Sequence, residues 1–268
     1  GNEAFFCENH RKMSQYVRNQ DPERIVHYEG CADPADDSID VYGRMYSHID
    51  FVKEFCENPE NKKPLFMSEY AHATGNGPGD LSEYWDLFYK YPNLIGGCVW
   101  EWADHAVRTV ENAHGERAVY YGNSMPQYGK PSIESKSAPF FTYGGGFREI
   151  IHDGNFCVDG LVNPDRIPST GLLALKNVIA PVSIDAHNIT FTKQTYSFTN
   201  RMDFTNLEEF DILYTIKTPS QVFAQGLLNV NCAPHCTVCE SIDFTFPEFS
   251  FEEFFIEFSC KLKKDTVW

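Results

Sequence analysis

The apolar residues of this chain change their period once, near residue 180, and that change limits it to two architectures joined in series. Upstream, short apolar runs alternate with longer helical ones, the pattern of β/α units around a parallel sheet. Residues 25–30, 40–42, 64–68 and 94–100 read as strands, each ending in a polar or aromatic cluster. Residues 10–18 and 47–57 carry helical spacing, and 80–88 places apolar groups at i, i+3, i+4 and i+7. Downstream the alternation is strict, as in 189–192, 210–216 and 254–263, where Phe254, Ile256, Phe258, Cys260 and Leu262 share one face. Several such strands at short spacing predict an antiparallel sandwich. The boundary falls between Leu175 and Pro181, which divides the chain into 1–177 and 178–268.

Counting from Glu3, the first part offers five strand ends, too few to close a (β/α)8 barrel. The expected fold is therefore α/β followed by all-β: part of a TIM barrel, then an immunoglobulin-like β-sandwich. In such a barrel the site lies at the C-terminal ends of the strands, so polar residues just after the apolar runs are the functional candidates. Residues 105–175 are rich in Gly, Pro and polar groups, including Tyr143-Gly144-Gly145-Gly146-Phe147. They read as long loops with little regular structure, of the kind that build a pocket.

The composition excludes several partners. With 38 acidic against 22 basic residues the formal charge is -16, which repels phosphate backbones and anionic lipid surfaces. Neither nucleic acid nor a membrane is expected as a partner. The first residues lack an initiator Met, a basic region and a long apolar run, and no stretch of about 18 apolar residues occurs. Nine cysteines, an odd and scattered set, fit reduced thiols and a cytoplasmic location better than a disulfide framework.

Two carboxylates sit where strands would end: Glu3 in Gly1-Asn2-Glu3, and Glu69 in Ser68-Glu69-Tyr70-Ala71-His72-Ala73-Thr74-Gly75-Asn76. An arbitrary Glu is usually a solvated surface charge. A pair facing each other about 5 Å apart is the equipment of a retaining glycosidase. The two stretches, at this separation, resemble the acid/base and nucleophile motifs of the large bacterial β-galactosidases of glycoside hydrolase family 2. The resemblance implies hydrolysis of terminal β-D-galactosides such as lactose by double displacement, with transglycosylation as a side reaction. Glu69 would attack the anomeric carbon, and Glu3 would donate and then accept the proton.

The same resemblance carries four substrate-binding positions. Asn2 matches the Asn expected to bond the sugar 2-hydroxyl, and Tyr46, in Gly43-Arg44-Met45-Tyr46-Ser47, the tyrosine that contacts the nucleophile. His72 looks like the histidine that binds galactose hydroxyls, and Trp100, in Val99-Trp100-Glu101-Trp102, like the aromatic floor of the pocket. Taken alone, Tyr46 and Trp100 are equally consistent with core aromatics, and His72 with a structural histidine. Glu29, after the run 25–28, also occupies a strand-end position.

Members of this family hold magnesium partly through the acid/base residue. Of that set only Glu3 could be present here, the other ligands lying upstream of residue 1. A sodium site is implied through Phe156-Cys157-Val158-Asp159-Gly160-Leu161-Val162, where Phe156 would supply a carbonyl and Asp159 a side-chain oxygen. The best-known pattern has Asn at the position of Asp159. Cys232, Cys236, Cys239 and His235 suggest a zinc set, but they align with a turn of the family's sandwich where no metal is expected. Strand alternation would also send Cys236 and Cys239 to opposite faces.

The resemblance covers nearly the whole chain and implies the second half of a catalytic barrel plus the following sandwich, taken from a parent enzyme expected to be a homo-oligomer. Other specificities of the family, β-glucuronidase or β-mannosidase, stand as alternatives. So does a noncatalytic piece that assembles only with a complementary fragment. Ala71-His72-Ala73 after the nucleophile motif favours the galactosidase.

Overall fold

A computed structural model of the chain describes residues 3–119, 138–247 and 253–267. The chain divides into two compact units, Gly1–Ile179 and Ala180–Trp268.

The first unit begins with α1 (Glu8–Gln20), β1 (His27–Tyr28), β2 (Val41–Met45), α2 (Ile49–Glu57), β3 (Leu65–Tyr70), α3 (Leu81–Lys90) and β4 (Leu94–Val99). The strands lie in the order β1-β2-β3-β4, and every pairing is parallel. Parallel neighbours need crossovers, which α2 and α3 provide. The helices bury the side chains that their spacing aligns: Val52 and Phe55 on α2, Leu81 and Leu87 on α3. Phe55 stacks on Tyr42 of β2 with centroids 5.1 Å apart, while Tyr84 and Phe88 set their edges against Tyr70 of β3 at 5.1 and 5.6 Å. With fully buried Leu65, Met67 and Val52 these rings form one core, each large side chain contributing about 1.5–3 kcal/mol. Gly97 permits close packing of β4 on β3, since a Cβ there would lie 2.7 Å from the Met67 Cβ.

Two expectations change in this unit. The strand predicted over 25–30 is reduced to His27–Tyr28. The Asp40 carboxylate accepts the Val26 N–H at 2.7 Å, so a side chain takes the donor that a longer ladder would use. Residues 105–175 are not simply loops. β5 (Val107–Glu111), β6 (Arg117–Val119) and β7 (Phe140–Thr142) form an antiparallel sheet in the order β6-β5-β7, and α4 (Thr170–Val178) follows. The glycine run 144–146 does remain in turns.

The second unit contains β8 (Val182–Ile189), β9 (Lys193–Asn200), a 3-10 turn (Leu207–Glu209), β10 (Phe210–Lys217), β11 (Val222–Leu228), β12 (Thr237–Asp243) and β13 (Phe255–Leu262). They make two three-stranded antiparallel sheets, β12-β9-β8 and β11-β10-β13. Tyr196 and Phe198 of the first meet Phe258 of the second edge-on at 5.0 and 5.6 Å, which is the face-to-face packing of a sandwich. Ile256, Phe258 and Cys260 turn toward this core as their alternation predicts, but Leu262 remains 39% exposed. The predicted strand 189–192 is instead the end of β8 and the turn into β9.

Candidate active site

Three strand ends of the first unit converge through backbone hydrogen bonds. Tyr46 follows β2 with φ 49° and donates its N–H to the Glu69 carbonyl at 2.8 Å. Ala71 turns the chain after β3 with φ 50°, Trp100 donates its N–H to the Tyr70 carbonyl at 3.1 Å, and Ala73 donates to the Trp100 carbonyl at 2.8 Å. Sequence neighbours of β2, β3 and β4 are thereby locked side by side, at the end of the sheet where a barrel carries its chemistry.

A fourth segment joins from far along the chain. Residues 159–162 run along 101–104, with N–H to carbonyl bonds from Glu101 to Asp159, Leu161 to Glu101, Val162 to Trp102 and Asp104 to Val162, all 2.9–3.0 Å. Gly160 is required here, because a Cβ would fall 2.0 Å from the Asp104 nitrogen. This pairing carries Asp159 under the site.

Desolvation, followed by the interaction with the Glu69 carboxylate, pushes the Tyr46 phenol well above its ordinary value. The hydroxyl therefore keeps its proton, which makes it a donor suited to the carboxylate. The His72 ring packs against Tyr46 (centroids 5.8 Å) and Phe156 (5.5 Å). Its Nδ1 is 2.6 Å from Thr74 Oγ1, and its Nε2 is 3.6 Å from Asp159 Oδ2. Asp159 is 2% exposed and accepts the Trp100 indole N–H at 3.1 Å.

The structure thus gathers Tyr46, Glu69, His72, Trp100, Phe156 and Asp159. It does not gather Glu3, which lies exposed in a turn at φ 50° and has no hydrogen bond or ion pair among the described residues. Asn2 lies outside the described residues. Glu29 is half-buried beyond β1 and joins no part of this cluster.

Glu101 and Thr74 join the site without being singled out by the sequence. Glu101 lies beside Asp159, with His105 Nε2 3.2 Å from its Oε1. Burial, then the neighbouring Asp159, push its carboxyl above the ordinary range, against the pull of His105. The available signal was its place directly after the strand-end Trp100.

For cations the donors divide. Asp159 Oδ1 is buried without a hydrogen-bond partner among the described residues, which suits a hard cation or a hydroxyl donor. No group of three or more His, Cys, Asp or Glu placed to hold a metal occurs among the described residues. A magnesium site built on Glu3 is therefore not furnished by them, nor is a zinc site at residues 232–239. Cys232 is buried and faces the carbonyls of Phe198, Ala233 and Cys236, while Cys236 and Cys239 are exposed. No helix among the described residues is long and apolar enough to cross a membrane.

Comparison with known proteins places this geometry in context. The model of the glycosyl hydrolases family 2 TIM barrel domain matches residues 1–184, and that of β-galactosidase domain 4 matches 196–268. The β-galactosidase of Actinobacillus pleuropneumoniae is 35% identical over 250 residues, covering 91% of this chain and 22% of that protein. That of Kluyveromyces lactis is 35% identical over 82% of the chain and 20% of its own length. That of Priestia megaterium is 32% identical over 100% of the chain and 24% of its own length. The chain thus spans about a fifth to a quarter of these relatives.

Proposed function

The chain belongs to glycosyl hydrolase family 2, and from that premise we propose that it supplies the nucleophile half of a retaining β-galactosidase site, acting on terminal β-D-galactosides such as lactose. The observation that carries this reading is the pairing of Tyr46 with Glu69 at adjoining strand ends, where the Tyr46 N–H donates to the Glu69 carbonyl at 2.8 Å, with the His72 ring against Tyr46 and Trp100 on the next strand end. Glu69 attacks the anomeric carbon and forms the glycosyl-enzyme, and water then releases it. Tyr46 remains a phenol throughout and holds the carboxylate by donation. Trp100, fixed through its indole by Asp159, offers its ring face to the apolar side of the sugar, and His72 bonds its hydroxyls.

Glu3 is assigned the acid/base role, which requires it within about 5 Å of Glu69 in the working enzyme. Among the described residues the parallel sheet has four strands and is open. Strands from the part of the relatives that this chain does not match would close it and bring that residue in. A sodium ion held by Asp159 Oδ1 and the Phe156 carbonyl would supply a positive anchor for a sugar hydroxyl. Magnesium would need donors beyond the described residues. All nine cysteines are free, which supports a reducing, cytoplasmic setting.

The test is hydrolysis of a nitrophenyl β-galactoside by the chain alone, and by a chimera in which it replaces the matching segment of the Priestia megaterium relative. Activity of the chimera that disappears in Glu69→Gln supports the assignment. Activity that survives this substitution removes Glu69 as nucleophile, and turnover of a glucuronide in place of the galactoside moves the reading to another specificity of the family. No activity from the chain alone, with activity in the chimera, favours a piece that needs its complement.

A further inference from the structure

We infer that Thr74 is a positioning residue that fixes His72 in its Nε2–H tautomer and so sets which hydrogen bond this histidine offers a sugar. The inference rests on the reading of His72 as a sugar-contacting residue.

Three constraints converge on the imidazole. Tyr46 and Phe156 pack against the ring at 5.8 and 5.5 Å, which hinders tilting and leaves the half-turn that exchanges the two nitrogens for carbons. The backbone that carries it is pinned: Ala73 donates to the Trp100 carbonyl at 2.8 Å, and Gly77 donates to the Thr74 carbonyl at 3.1 Å. A Cβ on Gly77 would lie 2.4 Å from the His72 carbonyl, so this turn has little room to relax. Within this frame Thr74 Oγ1 approaches Nδ1 to 2.6 Å, and the half-turn would replace that contact with a C–H.

The tautomer follows from what faces each nitrogen. Nε2 looks toward the Asp159 carboxylate at 3.6 Å, where an N–H is attractive and a lone pair repulsive. Nδ1 is then the acceptor, and the Thr74 hydroxyl, which can donate or accept, donates to it. The bond to the second nitrogen decides the state of the first. At 3.6 Å the Nε2–H is biased by Asp159 without being consumed by a short bond, and it stays available to a sugar hydroxyl. Without the hydroxyl at residue 74, only the Asp159 contact would oppose the half-turn.

The experiment uses the chain labelled with 15N-histidine, with His72 assigned through His72→Gln, and long-range 1H–15N spectra. The unaltered chain is expected to show His72 as one Nε2–H tautomer. Thr74→Val should give averaged or broadened His72 nitrogen signals, and Thr74→Ser should restore the single state. Thr74→Ala carries the same expectation as Val where the branched side chain disturbs the turn. In the Priestia chimera, Kd for isopropyl 1-thio-β-D-galactoside should rise about fivefold in Thr74→Val and return in Thr74→Ser, the scale of one neutral hydrogen bond. His72 signals unchanged by both Thr74→Val and Thr74→Ala overturn the proposal. A shifted tautomer with no thiogalactoside binding even by the unaltered chimera upholds the role of Thr74 and overturns the sugar-site reading instead.

Discussion

The indole N–H of Trp100 lies 3.1 Å from Asp159 Oδ2, tying the end of β4 to a segment almost sixty residues further on. The bond matters in two directions. It holds the ring assigned to the sugar floor, and it satisfies one oxygen of a carboxylate that is 2% exposed.

Removing the acceptor should therefore cost stability. Asp159→Leu leaves the half-buried indole N–H without its partner, for a loss of about 1–3 kcal/mol, measurable by urea unfolding with Trp emission as one probe. Asp159→Asn, which keeps a carbonyl oxygen for the indole, should lose less. It also removes the charge that, after burial, raises the Glu101 carboxyl. The Glu101 pKa should fall toward the ordinary range, as read from its carboxyl 13C shift.

Tyr46→Phe tests the other side of the cluster. The phenol keeps its proton because desolvation and Glu69 both oppose ionisation, so its loss deletes a donor to a carboxylate, worth about 1.5–3 kcal/mol. Galactoside hydrolysis by the chimera should fall roughly 10- to 150-fold. The alkaline limb of the wild-type pH profile should not arise from Tyr46.

Much of this site was legible because its parts lie close to strand ends and carry distinctive neighbours: Ser68 to Asn76 announces Glu69 and His72, and the apolar run before Trp100 announces β4. The parts that were not legible depend on long-range pairing. Nothing local in Glu101 or Asp159 says that 159–162 will run along 101–104, and the Gly160 that permits it looks like any loop glycine. The same limit applies to the fold. The switch of period near residue 180 can be read along the chain, but β5 and β7 bury Thr109 and Thr142, so polar residues occupy the core side and mask the strands. β1 shortens for a reason local propensity does not contain, the capture of the Val26 N–H by Asp40.

The sandwich core should be sensitive at Phe198. This ring is 0% exposed and packs edge-on against Phe258 across the two sheets, so its removal opens a cavity between them. Phe198→Ala should destabilise the second unit by about 3–5 kcal/mol, and Phe198→Leu by less. Differential scanning calorimetry of both variants checks the order.

The acid sensitivity of the first unit should centre on Asp36. Its carboxyl accepts the Ser38 N–H at 2.9 Å and the Arg11 guanidinium at 2.7 Å. The Ser38 bond foremost, then Arg11, holds it down to about 2 against the opposing effect of burial. A folded-state pKa below the unfolded one means that the folded chain binds the proton less readily. The stabilisation is therefore complete above the ordinary aspartate value of about 3.9 and is lost as pH falls from there through about 2. Arg11 is half-exposed, so salt should weaken its share, while the backbone bond from Ser38 should be little affected. In Asp36→Asn the midpoint for urea unfolding of the first unit should be lower at pH 7 and should lose this part of its acid dependence between pH 4 and 2. A variant whose acid dependence over that window matches the unaltered chain would place the acid sensitivity elsewhere.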